Sequence, residues 1–250
     1  MDMRNDRRIK FCDWYEAHIE RWIPSYALLS SIGCFVWNCL IYWGTQQTIL
    51  GLGLHTHDIT SAIDLMVPFR PEWVLIYVLS FPFWAVSYIL TAKENTRDDW
   101  FRFVFADMLA KAICGVIFVA FPTTNVRPDI DGSGILDSLM GLIYFLDPPL
   151  DLFPSIHCLV SLLSWLGIRK CSRIPQWYRN FTLIFAIMIF ASTQFTKQHY
   201  LADVIAGIVI AMGCYFISRH CSGYKAVEKF YEGLNSKLFV DETKVHDVEK

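Results

Sequence analysis

The clearest structural signal in the chain lies at residues 199–218, which read HYLADVIAGIVIAMGCYFIS. The fifteen residues that follow Asp203 in this segment carry no charged side chain. A helix that spans a bilayer needs about 20 mostly apolar residues. The segment therefore predicts a transmembrane helix that has His199 and Asp203 at its start.

Five further apolar segments of similar length precede this one. They cover roughly residues 25–44, 72–92, 101–121, 154–170 and 180–196. In the segment 154–170 only Ile156–Ile168 is strongly apolar, which gives about 20 Å of helix, so we expect its start to lie below the membrane surface. Together the segments predict an all-α polytopic membrane protein with about six transmembrane helices.

The overall composition agrees with a membrane protein. Hydrophobic residues make up 54% of the 250 residues and charged residues 18%, whereas about 25% of the residues in a soluble domain are charged. The net charge of −2 gives no reason to expect a nucleic-acid partner. The eight cysteines form no C-x-x-C pair, so we expect buried free thiols instead of disulfides or a zinc site.

The basic residues predict the orientation of the chain. With the N-terminus in the cytoplasm, 18 Lys and Arg residues fall on the cytoplasmic side and only Arg70, Arg127 and Lys197 on the other. Positive charge is retained on the cytoplasmic side of membrane proteins. Every motif described below then lies on the extracytoplasmic side.

His199 and Asp203 lie four residues apart and so share one face of a helix. Asp203 can accept a hydrogen bond from one ring nitrogen of His199, which leaves the other nitrogen free to attack phosphorus. An interfacial pair with a packing role is the structural alternative.

A second motif, Pro154-Ser155-Ile156-His157, stands at the start of the short apolar segment. Pro154 is suited to open the helix. The N–H groups of Ser155 and Ile156 would then be unpaired and able to bind an anion. His157 can protonate a leaving oxygen as a general acid. Ordinary helix capping beside a buried histidine is the alternative.

Arg127 supplies a third element, since a guanidinium binds two phosphoryl oxygens at once. A lone interfacial arginine is the alternative. In order along the chain, Arg-Pro, Pro-Ser-x-His and His-x-x-x-Asp resemble the phosphatidic acid phosphatase type 2 superfamily over roughly residues 64–207. The resemblance implies a helical bundle with a metal-independent site and no cofactor. It makes His199 the nucleophile that forms a phosphohistidine.

The same resemblance assigns the other site residues. His157 becomes the general acid and Asp203 the orienter of His199. The phosphate ligands are Arg127, Ser155 and the amide of Ile156, and we add Lys197 as a hypothesis.

The chain departs from the superfamily pattern at three positions. Ala120 stands in place of a lysine, Thr193 in place of an arginine, and Ile156 in place of the glycine of Pro-Ser-Gly-His. Lys111 lies too deep in its span to replace the lysine plainly, and we expect it to pair with Asp107. These departures resemble the branch that contains inositol phosphorylceramide synthases. The pair His55 and His57 in the first outer loop is a weaker metal-site hypothesis.

We therefore expect a membrane phosphatase that acts on a lipid phosphate on the extracytoplasmic side of the cell or plasma membrane. The alternatives are a phospholipid head-group phosphotransferase with an alcohol acceptor, and a non-catalytic transporter or scaffold. The predicted organisation is a cytoplasmic segment at 1–24, a membrane catalytic domain at 25–219 and a charged cytoplasmic tail at 220–250. From Tyr224 onward we expect an exposed extension.

Overall fold

The computed structural model describes residues 3–130, 132 and 134–239, with side chains from Arg8 onward. The helices within these residues are α1 (Met3–His18), α2 (Ser25–Leu52), α3 (Ala62–Met66), α4 (Val74–Glu94), α5 (Arg97–Ala120), α6 (Ile135–Leu146), α7 (Ile156–Ile168), α8 (Gln176–Phe195), α9 (Leu201–His220) and α10 (Tyr224–Leu238). Two short strands, β1 (His57–Asp58) and β2 (Thr123–Thr124), pair in parallel. Residues Pro71–Trp73 form a 3₁₀ turn before α4. The all-α fold predicted from the sequence is confirmed.

Four helical segments of the described chain are long and apolar enough to cross a membrane. They are α2, α4 together with its preceding turn, α5 and α9. Large apolar side chains on their outer faces, such as Phe35 on α2 and Phe216 on α9, are exposed at 70% and 64% of their area. In water such surfaces would be costly, but in a bilayer they face hydrocarbon. The chain is a polytopic integral membrane protein, and the number six for its spans stays a prediction.

Successive long helices run in alternate directions, so their connecting loops collect at two ends. At the first end, which we call the histidine end, α7 and α9 begin and α2, α5 and α8 finish. There the His57 N–H donates to the Pro122 carbonyl at 2.8 Å. At the opposite end the Asn95 side chain donates to the Gly167 carbonyl at 3.0 Å. The motifs quoted from the sequence all lie at the histidine end.

Helix α7 lies inside the bundle and packs against α4, α8 and α9. Most of its side chains are buried, and Trp84 of α4 donates to the Ser161 hydroxyl at 2.9 Å. The contact with α9 is close because Gly207 has no side chain. A Cβ at Gly207 would lie 2.5 Å from the Ser155 carbonyl oxygen, which is well inside van der Waals contact. Gly207 thus lets the starts of α7 and α9 meet.

A buried ion pair lies within α5. The Lys111 ammonium contacts the Asp107 carboxylate at 2.9 Å, and both side chains are almost completely buried. The Tyr88 hydroxyl from α4 donates to the same carboxylate at 2.5 Å. The pairing of Lys111 with Asp107 expected from the sequence is confirmed. Lys111 is therefore engaged within the bundle.

The tail differs from the expected exposed extension. Residues 224–238 form α10, which packs against α2 and α5 and buries Tyr224 and Tyr231. The Tyr231 hydroxyl occupies the space that a side chain at Gly33 would need. The helix is amphipathic, so its apolar side packs against the bundle while its charged side faces outward. Residues 240–250 of the tail lie outside the described residues. Within the described residues none of the eight cysteines forms a disulfide, and six of them are buried.

Candidate active site

Two histidines meet at the histidine end of the bundle. His157 lies in the first turn of α7 and His199 directly before α9, and their ring centroids are 5.9 Å apart. Residues separated by 42 positions are brought together because α7 and α9 begin side by side. The structure thus joins two of the motifs that the sequence placed on one side of the membrane.

Aromatic side chains of α4 form a wall against His157. Tyr77 stacks on the imidazole at 4.3 Å between centroids, and Trp84 and Phe81 lie at 5.1 and 5.8 Å. The Nε2 atom of His157 is buried, and among the described residues it has no hydrogen-bond partner. A fixed ring with a free nitrogen is suited to exchange a proton with a bound group.

The protonation of the His199 ring follows from its contacts. Its Nδ1 lies 3.0 Å from the Leu152 carbonyl oxygen and 3.4 Å from Oδ2 of Asp203. Neither a carbonyl nor a carboxylate can donate, so Nδ1 carries the proton in this arrangement. Nε2 is then the nitrogen with the free electron pair. This is the arrangement that a nucleophilic histidine needs.

Asp203 also caps the N-terminus of α9. Its Oδ2 accepts the Tyr200 N–H at 2.8 Å, which caps the helix. Its Oδ1 is buried and has no partner in the described part of the chain. Asp203 therefore lies beside His199, but not along one face of a helix as the sequence predicted, because α9 begins at Leu201 and His199 lies in the turn before it.

The start of α7 differs from the expected anion site in one respect. Ser155 is the N-cap, with its hydroxyl accepting the Cys158 N–H at 3.3 Å, and the helix begins at Ile156. The Ser155 N–H donates to the Asp203 carbonyl at 3.0 Å. The expectation that this N–H is unpaired is wrong, because the close approach of α9 at Gly207 supplies an acceptor. Ser155 is fully buried and Ile156 nearly so.

Arg127 is attached to the segment that carries His199. Its Nη2 donates to the side-chain oxygen of Gln198 at 2.7 Å, and its Nη1 donates to the carbonyls of Asp147 and Tyr144. The guanidinium also lies over the Tyr144 ring at 4.6 Å. The Nε of Arg127 and the Nε2 of Gln198 are buried without a partner among the described residues. Two unpaired donors thus accompany the histidines.

Lys197 is bound by helix α3 and its C-cap Val67. Its ammonium donates to the carbonyls of Asp64 and Val67 at 2.8 and 2.6 Å. Burial raises the pKa of Asp64, but hydrogen bonds from Ser61 and the Leu201 N–H outweigh it and leave the pKa below its ordinary value. Lys197 and Asp64 therefore join α3 to the start of α9.

The positions where the superfamily pattern has further cations carry none here. Ala120 ends α5 and is exposed. Thr193 is fully buried, and its carbonyl accepts the N–H groups of Gln198 and His199 at 3.0 and 3.1 Å. Thr193 thus shapes the turn that carries His199 and brings no charge to it.

Two acidic residues near the histidines were not assigned a role from the sequence. Asp151 is buried and accepts from Gln46 Nε2 at 3.1 Å and from Thr45 at 3.3 Å. Burial, with the nearby charge of Asp147, raises the pKa of Asp151 to about 7. Asp147 accepts from the Tyr42 hydroxyl. No local pattern marks these contacts, because they join α2 to a loop about a hundred positions away.

The histidine pair between α2 and α3 has no further metal ligands beside it among the described residues. His55 and His57 meet edge to face at 5.1 Å, and His57 stacks on Phe121 at 4.6 Å. Across the residues that the structure describes, no three His, Cys, Asp or Glu side chains group as metal ligands do. His57 packs on the end of α5.

Comparison with known proteins gives one finding. The family model described as the PAP2 superfamily matches residues 72–217, which is more than half of the chain. The match runs from the 3₁₀ turn before α4 to near the end of α9, so it contains Arg127, His157, His199 and Asp203. Helix α2 lies outside it. No curated protein and no solved structure matches the chain.

Proposed function

The chain belongs to the PAP2 superfamily, and on that premise we propose that it is a membrane phosphatase that hydrolyses a lipid phosphate through a phosphohistidine. Members of the superfamily are phosphatases or phosphotransferases. The observation that carries the proposal is the pair of imidazoles 5.9 Å apart, one with its Nδ1 proton held and one with a free buried nitrogen.

The first step is the attack of His199 Nε2 on phosphorus. The new N–P bond forms as the bond from phosphorus to the leaving oxygen breaks, and His157, which enters this step as the imidazolium, donates its proton to that oxygen and becomes neutral. In the second step His157 takes a proton from water, the water oxygen bonds to phosphorus, and the N–P bond breaks. Phosphate leaves and both histidines return to their starting state.

We assign phosphate binding to Arg127 first. Its Nε and the Nε2 of Gln198, the residue before His199, are buried donors without a partner among the described residues, and Arg127 Nη2 donates to the Gln198 side-chain oxygen. The Ile156 N–H in the first turn of α7 adds a helix N-terminus. Ser155, whose hydroxyl is fully buried, orders that turn. Lys197, whose ammonium donates to the carbonyls of Asp64 and Val67, holds α3 against the segment that carries His199.

The second candidate is a head-group phosphotransferase in which an alcohol takes the place of water. The observation that favours it is the shortage of cations, since Ala120 and Thr193 replace the two that the superfamily pattern has. A phosphate monoester carries about −1.5 to −2 at pH 7, whereas a phosphodiester lipid carries a single negative charge. A site with fewer cations holds the diester at lower cost, and a diester donor leads to transfer of a head group.

The deciding experiment uses the purified full chain in nanodiscs. Phosphatidic acid and a phosphodiester lipid are supplied separately, with and without a lipid alcohol. We expect inorganic phosphate from phosphatidic acid, and a new head-group lipid would instead support the transferase. The His199→Ala variant should show neither product, and the matched control His55→Ala, an exposed histidine at the same end, should keep full turnover.

A non-catalytic role is the remaining outcome of that experiment. No product from any lipid, together with no acid-labile phosphohistidine after rapid quenching, would overturn the enzymatic proposal and favour a transporter or scaffold. We place the site on the extracytoplasmic face, on the strength of the Lys and Arg distribution.

A further inference from the structure

His199 Nδ1 has two acceptors, and the nearer is not the expected carboxylate. The Leu152 carbonyl oxygen lies at 3.0 Å, within the usual range for an N–H···O bond. Oδ2 of Asp203 lies at 3.4 Å and already accepts the Tyr200 N–H at 2.8 Å. The Leu152 carbonyl is therefore the better partner for the proton that must stay on Nδ1.

The carbonyl of Leu152 is fixed because both neighbouring residues are held. On one side the Phe153 N–H donates to the Thr123 hydroxyl at 2.8 Å. On the other side Asp151 forms a parallel backbone bridge with Thr123. Strand β2 thus holds the main chain on either side of the acceptor.

The side chain of Asp151 extends this attachment to α2. Its Oδ1 accepts from Gln46 Nε2 at 3.1 Å, and its Oδ2 accepts from the Thr45 hydroxyl at 3.3 Å. Asp151 is only 4% exposed and Gln46 only 5%. A buried polar pair is retained only where its hydrogen bonds are made, because an unpaired member costs about 1–3 kcal/mol. Its position directly before Leu152 makes this pair the outer support of the His199 acceptor.

We infer that Asp151 and Gln46 are positioning residues that hold the Leu152 carbonyl against His199 Nδ1 and so fix the ring in the tautomer that leaves Nε2 free. The inference rests on the proposed function for its catalytic consequence, although the tautomer itself is a property of the protein without substrate. Asp203 then caps α9 and faces the imidazole as it becomes positive on bonding to phosphorus.

The first test reads the tautomer directly. In ¹H–¹⁵N spectra of the histidine-labelled full chain in nanodiscs, the His199 signal is assigned by its loss in His199→Ala. We expect the Nδ1–H form in the parent protein and a mixture of both forms in Asp151→Leu and Gln46→Leu. The matched control is Gln47→Leu, an exposed neighbour of the same type, which should keep the parent spectrum. A pure Nδ1–H form in the folded Gln46→Leu and Asp151→Leu variants would overturn the inference.

The second test separates positioning from general stability. With phosphatidic acid, Asp151→Leu should lower kcat by about 10- to 100-fold, since small misplacements of a reacting group have effects of that size, and should leave KM within about twofold. Asp151→Asn keeps an oxygen for Gln46 and should recover most of kcat. If Asp151→Leu does not fold, Gln46→Leu carries the test, with a loss of about tenfold in kcat expected.

The two proposals fail in different ways. Full turnover by His199→Ala would overturn the phosphohistidine mechanism, and the spectra would still report the Leu152 contact. Loss of turnover in His199→Ala with parental kcat in both Asp151→Leu and Gln46→Leu would overturn the positioning role alone. In that case Asp203 orients the ring by itself.

Discussion

The ring of His157 illustrates how a single side chain is prepared for proton transfer. Tyr77, Phe81 and Trp84 surround it, so packing fixes the plane of the ring. Its buried Nε2 lacks a partner among the described residues, a situation that costs about 1–3 kcal/mol when nothing compensates. A phosphoryl ester oxygen in the site would supply the partner. The unpaired Nε2 favours a role in exchanging a proton with that oxygen.

This role makes the effect of His157→Ala depend on the leaving group. With an alkyl phosphate ester, which needs protonation of the departing oxygen, we expect a loss of about 10²- to 10⁴-fold in turnover. With a p-nitrophenyl ester, whose leaving group needs no proton, the burst of nitrophenol should stay within about tenfold of the parent. Rapid-quench kinetics on both esters provide the measurement, and equal losses on the two would contradict the assignment.

The contact between α7 and α9 determines where the two histidines lie. Gly207 allows the Ser155 N–H to reach the Asp203 carbonyl, so the first turns of the two helices are joined directly. Each histidine lies within four residues of this contact. The separation of the imidazoles therefore depends on a glycine that contacts neither of them.

We expect Gly207→Ala to lower both stability and activity. Its Cβ would lie 2.5 Å from the Ser155 carbonyl oxygen, and overpacking of this kind costs about 1–3 kcal/mol. Thermal unfolding in detergent and turnover of phosphatidic acid are the measurements. Gly213→Ala is the matched control on the same helix, where the space is open, and it should leave Tm unchanged or higher. Equal Tm and equal turnover of Gly207→Ala and Gly213→Ala would contradict the importance of the close contact between α7 and α9.

The buried ion pair between Lys111 and Asp107 should contribute to the stability of the bundle around α5. Lys111→Met would leave Asp107 as an unpaired buried carboxylate beside Tyr88, which costs about 3–5 kcal/mol. Adding Asp107→Asn should restore most of the lost stability, because the amide oxygen still accepts from the Tyr88 hydroxyl without a charge. Lys93→Met removes the same charge at a part-exposed helix end and serves as the control. A Tm for Lys111→Met equal to that of Lys93→Met would contradict the structural importance of the pair.

For the molecule as a whole, the alternate helix directions place α1 and α10 together at the end opposite the histidines. Arg8 of α1 donates to the Ser236 carbonyl of α10 at 3.0 Å, and Arg97 pairs with Glu228 at 3.2 Å. The distribution of Lys and Arg predicts that this end lies on the cytoplasmic side. We therefore expect α1 and α10 on one side of the membrane, with His157 and His199 on the other.

Sidedness can be measured on the intact chain. A glycosylation acceptor placed in the loop at residues 55–58 should be modified in a eukaryotic microsome, whereas one placed after α10 should not. The outer surface of sealed microsomes is the cytoplasmic face of the membrane. Added protease should therefore digest epitope tags at both termini. Modification after α10 without modification at 55–58 would invert the proposed orientation.

The helices and the motifs could be predicted from the sequence because both depend on neighbours along the chain. Apolar runs of about 20 residues mark a membrane span wherever they occur. The i and i+4 spacing brings two side chains to one face of a helix. The pairing of Lys111 with Asp107 followed from the same spacing and is confirmed.

The partners of the site residues were decided by tertiary structure alone. The Ser155 N–H is paired because α9 approaches at Gly207, and the Lys197 ammonium is paired because carbonyls of α3 and Val67 lie against it. The support of the Leu152 carbonyl comes from Gln46, which is 105 positions from Asp151. The physical reason is that hydropathy and helical period act over a few residues, whereas these hydrogen bonds form only after the helices have packed.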